Sequence, residues 1–495
     1  MKTNARVSRR DAFKSVGALG ACLGLVALSP FKTQAQPQAL LAGYPTKKPA
    51  RPDDVRKTIL ERVFKTPMID THEHLPDEKD RLAGGATQNL PCDDWALLLS
   101  HYLNSDLLVA GMPKADLERF LSPKHDPLAK WNLIAPYWPA VKNTGYAQAV
   151  RIAIRELYGV DELSAATVPK IQAAYEKVRR TGFYDHILHD LAGIESCQVN
   201  DLGNLPFRES KTPSLLMQDI GIMGMLNVPS MRGYVAQYAP PAGIEVKTLD
   251  HWHGVIDWWF NRCAPYAVAV KSQHAYSRDI DYARVPGEKA EPVFLKVLQK
   301  EPITPEERRT LEDHLFWYCV DKATAHQLPV KLHTGYYAGQ DFMPLGRLIQ
   351  NPGSAATLCR LSPATQFVFL HIGYPHYEAM LALTKNYSNA HIDMCWSWII
   401  NPVAAKDFFK KHIVTAPANK LLPFGGDYLP VEPVLGHAIL VRRGVALALA
   451  ELVDEGWLSL SDALELVGPI FNGNARRIFR LPQKLAALKS APWIH

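Results

Sequence analysis

Asp70-Thr71-His72-Glu73-His74 follows the apolar run Pro67-Met68-Ile69. In an extended strand alternate side chains share a face, so His72 and His74 leave the same side together and can converge on one ion as a metal half-site. Taken alone, such a pair is more often two hydrogen-bonded histidines at a strand end. Three later apolar runs reverse that balance, because each ends in a plausible partner: 329–332 before His333, 367–370 before His371, and 422–426 before Asp427. A parallel barrel gathers its strand C-termini at one mouth, where residues distant in sequence meet. Histidine nitrogens and carboxylates suit a divalent cation such as zinc, manganese or iron, and zinc lowers the pKa of bound water to about 7.

The elements that must carry these residues follow from pattern and punctuation. With 495 residues, 47% of them hydrophobic, the chain suffices for one large domain with insertions or for two ordinary ones. Helical signals begin at Val55 and Ile59, and strand one is expected at 67–71. From about 75 to 190 the pattern is mostly helical, with Trp95, Tyr102, Trp131, Tyr137 and Trp138 at apolar positions. That is too long for an ordinary connection, so it reads as an insertion on the catalytic face, placed to roof the site and select the substrate. Strands two and three are expected near 194–199 and 222–228, and strand four over 266–270, closed by Lys271. His251-Trp252-His253 with Trp258-Trp259 reads as a helix packing aromatics rather than as a second metal site. Thr304, Pro305 and Glu307 form a capping box that opens a helix to about His326. Strand seven at 390–394, strand eight at 422–426 and an amphipathic segment at 462–477 complete the alternation. It predicts an α/β fold, a TIM-like (β/α)8 barrel over 65–485 with a large helical insertion after strand 1, rather than an open sheet. No glycine-rich dinucleotide loop follows strand one.

Address and partners come from the chain's start and its charge. The 55 basic and 49 acidic residues give a formal charge of +6 and are spread along the chain, which argues against nucleic acid. Ser8-Arg9-Arg10-Asp11-Ala12-Phe13-Lys14, an apolar stretch over 16–28, and Thr33-Gln34-Ala35 read as a twin-arginine signal peptide over 1–35. The twin-arginine export machinery is then a partner and the periplasm the destination. A lipoprotein box ending at Cys22 is the lesser alternative. Residues 36–64 form an N-terminal extension, Pro- and Lys-rich as far as about 56. No other stretch is apolar for long enough to span a bilayer, so stable membrane insertion is not expected, and a homo-oligomer stays open. Of seven cysteines none forms a Cys-x-x-Cys pair, so neither a disulfide framework nor a thiolate metal site is indicated.

The order His72-x-His74, Lys271, His333, His371, Asp427 resembles the amidohydrolase superfamily over most of the chain. The stretches VKSQHAYSRD, LPVKLHTGY, NPGS and FLHIGYPHYEAMLAL are similar to the amidohydrolase-like domain of glutamine-synthetase fusion proteins. VFKTPMIDTHEHL, PCDDWALLLSHYL, LPVKLHTGYY, Trp396 and Trp398, and FNGNARRIF resemble uronate isomerases. The resemblance implies that His72, His74 and Asp427 hold one metal, that His333 and His371 hold a second or divide into a ligand and a substrate polariser, and that Asp427 is also the base. It implies one or two divalent ions, zinc first among them. Lys271 is then either a carbamylated bridge between metals, a cation for a substrate carboxylate, or a snorkelling surface lysine. The isomerase pattern has arginines after the strand-eight aspartate and the strand-five histidine. Here those stretches are Asp427-Tyr428-Leu429-Pro430 and His333-Thr334-Gly335-Tyr336-Tyr337, without the bidentate carboxylate readers.

Candidate substrate-pocket residues are Tyr276, Tyr336, Gln340, Trp396, Tyr428 and Glu432, with Arg232 and Arg278 as replacement carboxylate readers. The expected activity is an exported metal-dependent hydrolase using metal-activated water on an amide, ester or related carbon. The alternatives are a uronate-type aldose-ketose isomerase, a metal-dependent decarboxylase or lyase, and a binding protein that has lost catalysis.

Overall fold

The computed structural model describes residues 52–84, 90–203 and 205–494. The leader expected over 1–35 and the extension up to residue 51 lie outside the described residues. Among the described residues, nine short strands follow one another: β1 Met68–Glu73, β2 Ile194–Val199, β3 Leu216–Gln218, β4 Ile220–Gly221, β5 Val270–Ser272, β6 Val330–Leu332, β7 Phe367–Leu370, β8 Ala390–Asp393 and β9 Leu421–Leu422. They make two ladders, β1-β2-β3 and β4 through β9 in sequence order, and each pair is parallel. Asp219 alone separates β3 from β4. Beyond β9 the chain returns to β1: Thr71 N–H donates to Phe424 O (3.0 Å), Asp427 N–H to His72 O (2.8 Å) and His74 N–H to Tyr428 O (3.0 Å). The fold is a TIM-like α/β array whose ladder is in two parts rather than one closed ring.

Parallel strands joined by helical crossovers are covered on both faces, and β1, β5, β6, β7 and β8 are buried along their whole length. The helices used below are α1 (Pro52–Lys65), α2 (Gly145–Tyr158), α3 (Met231–Ala242), α4 (Leu249–Cys263), α5 (Pro305–Ala325) and α6 (Glu432–Asp454). α5 opens on the expected box, with Thr304 N–H donating to Glu307 Oε2 (2.9 Å) and Glu307 N–H to Thr304 Oγ1 (3.2 Å), and its cap is His326. Trp252 and Trp259 of α4 are buried, as an aromatic packing helix requires.

Several expected bounds move. Strand three is not 222–228: β3 and β4 precede it, and Met223–Leu226 is a helical turn. The run from Leu215 to Leu226 is apolar almost throughout, and period alone does not separate strand from helix in such a run. Lys271 lies inside β5 rather than after it. Strand eight shortens to Leu421–Leu422 because Pro423 and the Gly425-Gly426 pair break the ladder before Asp427. The final segment divides into Leu460–Gly468, a π turn at Pro469–Gly473, and Asn474–Ile478.

The expectation that no further stretch is apolar for long enough to cross a bilayer is corrected by α6, which meets that length and composition. Most of it is buried inside the protein. A Cβ on Gly436 would stand 1.8 Å from Ala149 O, so α2 and α6 cross in backbone contact. Arg442 spends its donors on Val63 O (2.6 Å), Thr66 O (2.8 Å) and Ala192 O (2.9 Å).

Candidate metal centre and active site

His72 and His74 leave β1 on one face, and both are buried. Asp427 reaches them through a glycine pair with no room for side chains. A Cβ on Gly426 would fall 1.8 Å from Glu73 Oε1, and one on Gly425 would lie 3.0 Å from His72 N. Asp427 itself takes a positive φ of 63°. Its Oδ1 then lies 3.1 Å from both His72 Nε2 and His74 Nε2, and its Oδ2 lies 3.8 Å from His371 Nε2. One carboxylate is divided between two histidine groups.

The hydrogen bonds around this centre test whether a cation fits. His74 Nδ1 donates to Asn200 O at 2.6 Å, which leaves a lone pair on Nε2 in the neutral ring. That lone pair faces Asp427 Oδ1, a second acceptor, and a divalent cation between them would satisfy both. A ligand histidine with its other nitrogen bound to a carbonyl has the tautomer and orientation that metal coordination uses. His72 Nδ1 and His371 Nδ1 are buried without a hydrogen-bond partner. His72, His74 and Asp427 offer ligand atoms within 4.8 Å of one another, and so do His371, Cys395 and Asp427. The donor set fits a divalent ion.

His333 Nε2 donates to Tyr336 O (2.8 Å), so its Nδ1 accepts from His371 Nε2 (3.1 Å). Burial, reinforced by Lys271, lowers His333 to about 3, and burial with His333 nearby takes His371 well below the usual histidine range. His72 is likewise held far down by burial and by Lys271. Burial works against the Asp427 carboxylate, but His72, His74 and His371 hold it well below the usual carboxylate range. The centre therefore sets the Asp427 carboxylate among His72, His333 and His371, which burial keeps neutral. Lys271 Nζ lies 3.2 Å from His72 Nε2, so it belongs to the mouth and is not a snorkelling lysine outside it.

A cavity of about 390 Å³ opens on His72, His74, Lys271, His333 and Asp427. Tyr276 lines it, ring to ring with His333 at 4.5 Å. Tyr336 is half-buried and serves the centre through its carbonyl. Trp396 is buried, its ring 5.5 Å from that of His371. Five other candidates are elsewhere. Tyr428 is buried, its N–H donating to Glu73 Oε2 (2.7 Å). Glu432 pairs with Arg81 (3.2 Å). Gln340 is partly exposed outside the lining. Arg278 pairs with Asp313 (2.7 Å) and Glu312 (3.4 Å). Arg232 is exposed on α3 and does not reach the cavity. Tyr234 and Tyr238, four apart, turn that helix's inner face to the cavity, and a residue two before Tyr234 points away.

Sequence reasoning missed His101, Tyr102, Asn200, Gln273 and Cys395. Asn200 directly follows β2 and Gln273 shares a strand face with Lys271, so the rule that found the histidines reaches both. His101 and Tyr102 belong to the helical segment between β1 and β2. The Tyr102 hydroxyl donates to Asp427 O, and His101 Nδ1 accepts from Leu429 N–H (3.1 Å). Cys395 reads in the sequence as one more scattered buried thiol, and no Cys-x-x-Cys spacing announces that its sulfur lies within 4.8 Å of ligand atoms of His371 and Asp427.

Residues 300–481 match the family model described as amidohydrolase, a span that includes His333, His371, Cys395 and Asp427. The chain superposes on uronate isomerase from Thermotoga maritima with a TM-score of 0.71 at 15% identity, covering 86% of this chain and 97% of that one. For glucuronate isomerase from Caulobacter crescentus the values are 0.70, 16%, 88% and 95%. At such identities the likeness establishes the fold. Protein fluG of Emericella nidulans is 25% identical over 173 residues, which is 34% of this chain and 19% of that protein's length. The matched segment is thus amidohydrolase-like, and the chain as a whole shares the fold of the uronate isomerase structures.

Proposed function

We propose that the chain is an exported, zinc-dependent hydrolase acting on an amide, ester or related carbonyl carbon. The observation that carries this is the division of Asp427 between His72 and His74 on one side and His371 on the other, beside the buried amine of Lys271. His72, His74 and Asp427 would hold a divalent ion, which when bound would supply an activated water and a Lewis acid for the carbonyl. Asp427 takes the proton as the water oxygen bonds to the carbonyl carbon, and returns it to the leaving nitrogen or oxygen as that bond breaks. His371 and His333, neutral and linked to each other, spend their ring N–H groups on His333 Nδ1 and Tyr336 O and so hold each other in place beside the reacting carbon, and Tyr276 closes one wall. The helices between β1 and β2, roughly 75–190, choose the substrate. Lys271 serves either as a carbamylated bridge or as a cation for a substrate carboxylate.

The test is metal content per chain, followed by a screen of amides, esters and lactones with the full chain. Incorporation of oxygen from labelled water into product supports hydrolysis. Interconversion of an aldose and a ketose acid without that incorporation overturns it in favour of the isomerase reading, which rests on the likeness to uronate isomerase structures. Against that reading, no arginine lines the described cavity, whereas Lys271 does. Export is checked separately. Residues 1–35 fused to a folded reporter should reach the periplasm through the twin-arginine machinery, and replacing Arg9 and Arg10 by lysine should hold the reporter in the cytoplasm.

A further inference from the structure

We propose that Cys395 is a metal ligand, so that a second, thiolate-bound ion sits between His371, Cys395 and the Oδ2 oxygen of Asp427. The inference rests on the metal centre proposed above and adds a softer, chemically distinct site to it.

Four observations converge. Ligand atoms of His371, Cys395 and Asp427, from three different strand ends, lie within 4.8 Å of one another, and all three residues are buried. Tetrahedral zinc, with bonds of about 2.0 Å to nitrogen and about 2.3 Å to sulfur, sets donors about 3.5 Å apart, so closing on an ion takes about an ångström of side-chain movement. His371 Nδ1 is fully buried without a hydrogen-bond partner, which is costly unless something binds that ring. Asp427 Oδ1 is occupied by His72 and His74, whereas Oδ2 is turned toward His371, as a carboxylate bridging two ions would be.

The backbone supplies the fourth. His371, Cys395 and Asp427 hold φ of 66°, 37° and 63°, a region that non-glycine residues enter rarely and chiefly at functional sites. At Cys395 the turn is fixed by its own N–H donating to Asp393 Oδ1 at 3.1 Å. The same device operates on β1, where His72 N–H donates to Asp70 Oδ1, also at 3.1 Å. Each strand thus places a ligand two residues after an aspartate that holds its amide. Room for the sulfur comes from Gly425, where a Cβ would stand 2.9 Å from Cys395 Sγ. On binding, the thiol proton leaves to solvent and the sulfur donates its electron pair to the ion. Thiolate selects zinc, cobalt or cadmium over magnesium or calcium.

The experiment titrates metal-free full-length protein with Co2+ and records ions bound per chain together with the near-ultraviolet absorption that thiolate-to-cobalt charge transfer produces. Two ions are expected, with the charge-transfer band rising with only one of them. Cys395→Ser should abolish the band and weaken that ion about tenfold or more while leaving the other bound. Should the variant fail to fold, the wild-type band and metal protection of Cys395 from alkylation give the same answer. Two ions without a thiolate band, or a band that survives in Cys395→Ser, overturns the thiolate site and leaves the hydrolase reading standing. No bound Co2+ at all overturns both.

Discussion

Lys271 Nζ stands 3.2 Å from His72 Nε2 in the interior of the mouth, a cationic residue beside a metal-ligand candidate. Burial lowers its pKa from 10.5 to about 8, although Asp427 pulls the other way. A base depressed on folding contributes stability that is present above its unfolded value and lost as pH falls through the folded one. Its chemistry follows the same sign: above about 8 the amine is neutral and nucleophilic. In metal-free protein treated with cyanate, carbamoylation of Lys271 should reach half its maximal rate near pH 8, about two units below surface lysines. Peptide mass spectrometry across the pH range checks this, and a Lys271 profile superimposed on that of exposed lysines contradicts it.

Asp427 joins the two halves of the centre through one carboxylate. Asp427→Asn keeps the shape and removes the charge that His72, His74 and His371 face, so bound metal should fall. Turnover should drop by about 10²–10⁴, with the far-ultraviolet circular dichroism unchanged. Full metal content with full activity in this variant would place the base elsewhere.

How much of this was legible in sequence depends on what kind of signal each residue carries. His72, His74, Lys271, His333, His371 and Asp427 all stand in or after short apolar runs, and the parallel fold brings those runs' ends together, so strand alternation and barrel geometry sufficed. Strand three was misplaced because the run around Met217 and Met223 is apolar in either period. Arg232 failed because side-chain direction on α3 depends on which face packs, and Tyr234 and Tyr238 take the inner one. Tyr102 and Cys395 lie in segments whose local pattern says nothing about the mouth. They reach it through a long connection in one case and a positive-φ turn in the other.

Two glycines separate packing from backbone freedom. At Gly436 an added methyl meets Ala149 O at 1.8 Å, whereas at Gly233, within α3, nothing lies within 4 Å. Gly436→Ala should cost about 1–3 kcal/mol or more by forcing α2 from α6. Gly233→Ala should be neutral or stabilise by about 0.4–1 kcal/mol through the unfolded chain. Denaturant midpoints at constant slope distinguish the two. Equal effects would mean that α2 and α6 do not cross at Gly436.

The last prediction tests whether the helical segment after β1 takes part in the chemistry. Tyr102, from that segment, donates its hydroxyl to the backbone carbonyl of Asp427, and its ring lies 4.6 Å from Trp396 and 4.1 Å from His101. Asp427 holds its carboxylate on a left-handed backbone, so a donor to its carbonyl fixes where Oδ1 and Oδ2 point. Tyr102→Phe keeps the stacked ring and removes only that donor. The unpaired carbonyl should cost about 1–3 kcal/mol of stability. Because a small misplacement of a reacting group is expensive, kcat should fall about tenfold while KM changes little, since Tyr102 acts on Asp427 and not on substrate. A raised KM at constant kcat would instead make Tyr102 a substrate contact, and unchanged kinetics would make the segment a cover that leaves Asp427 to its glycine pair alone.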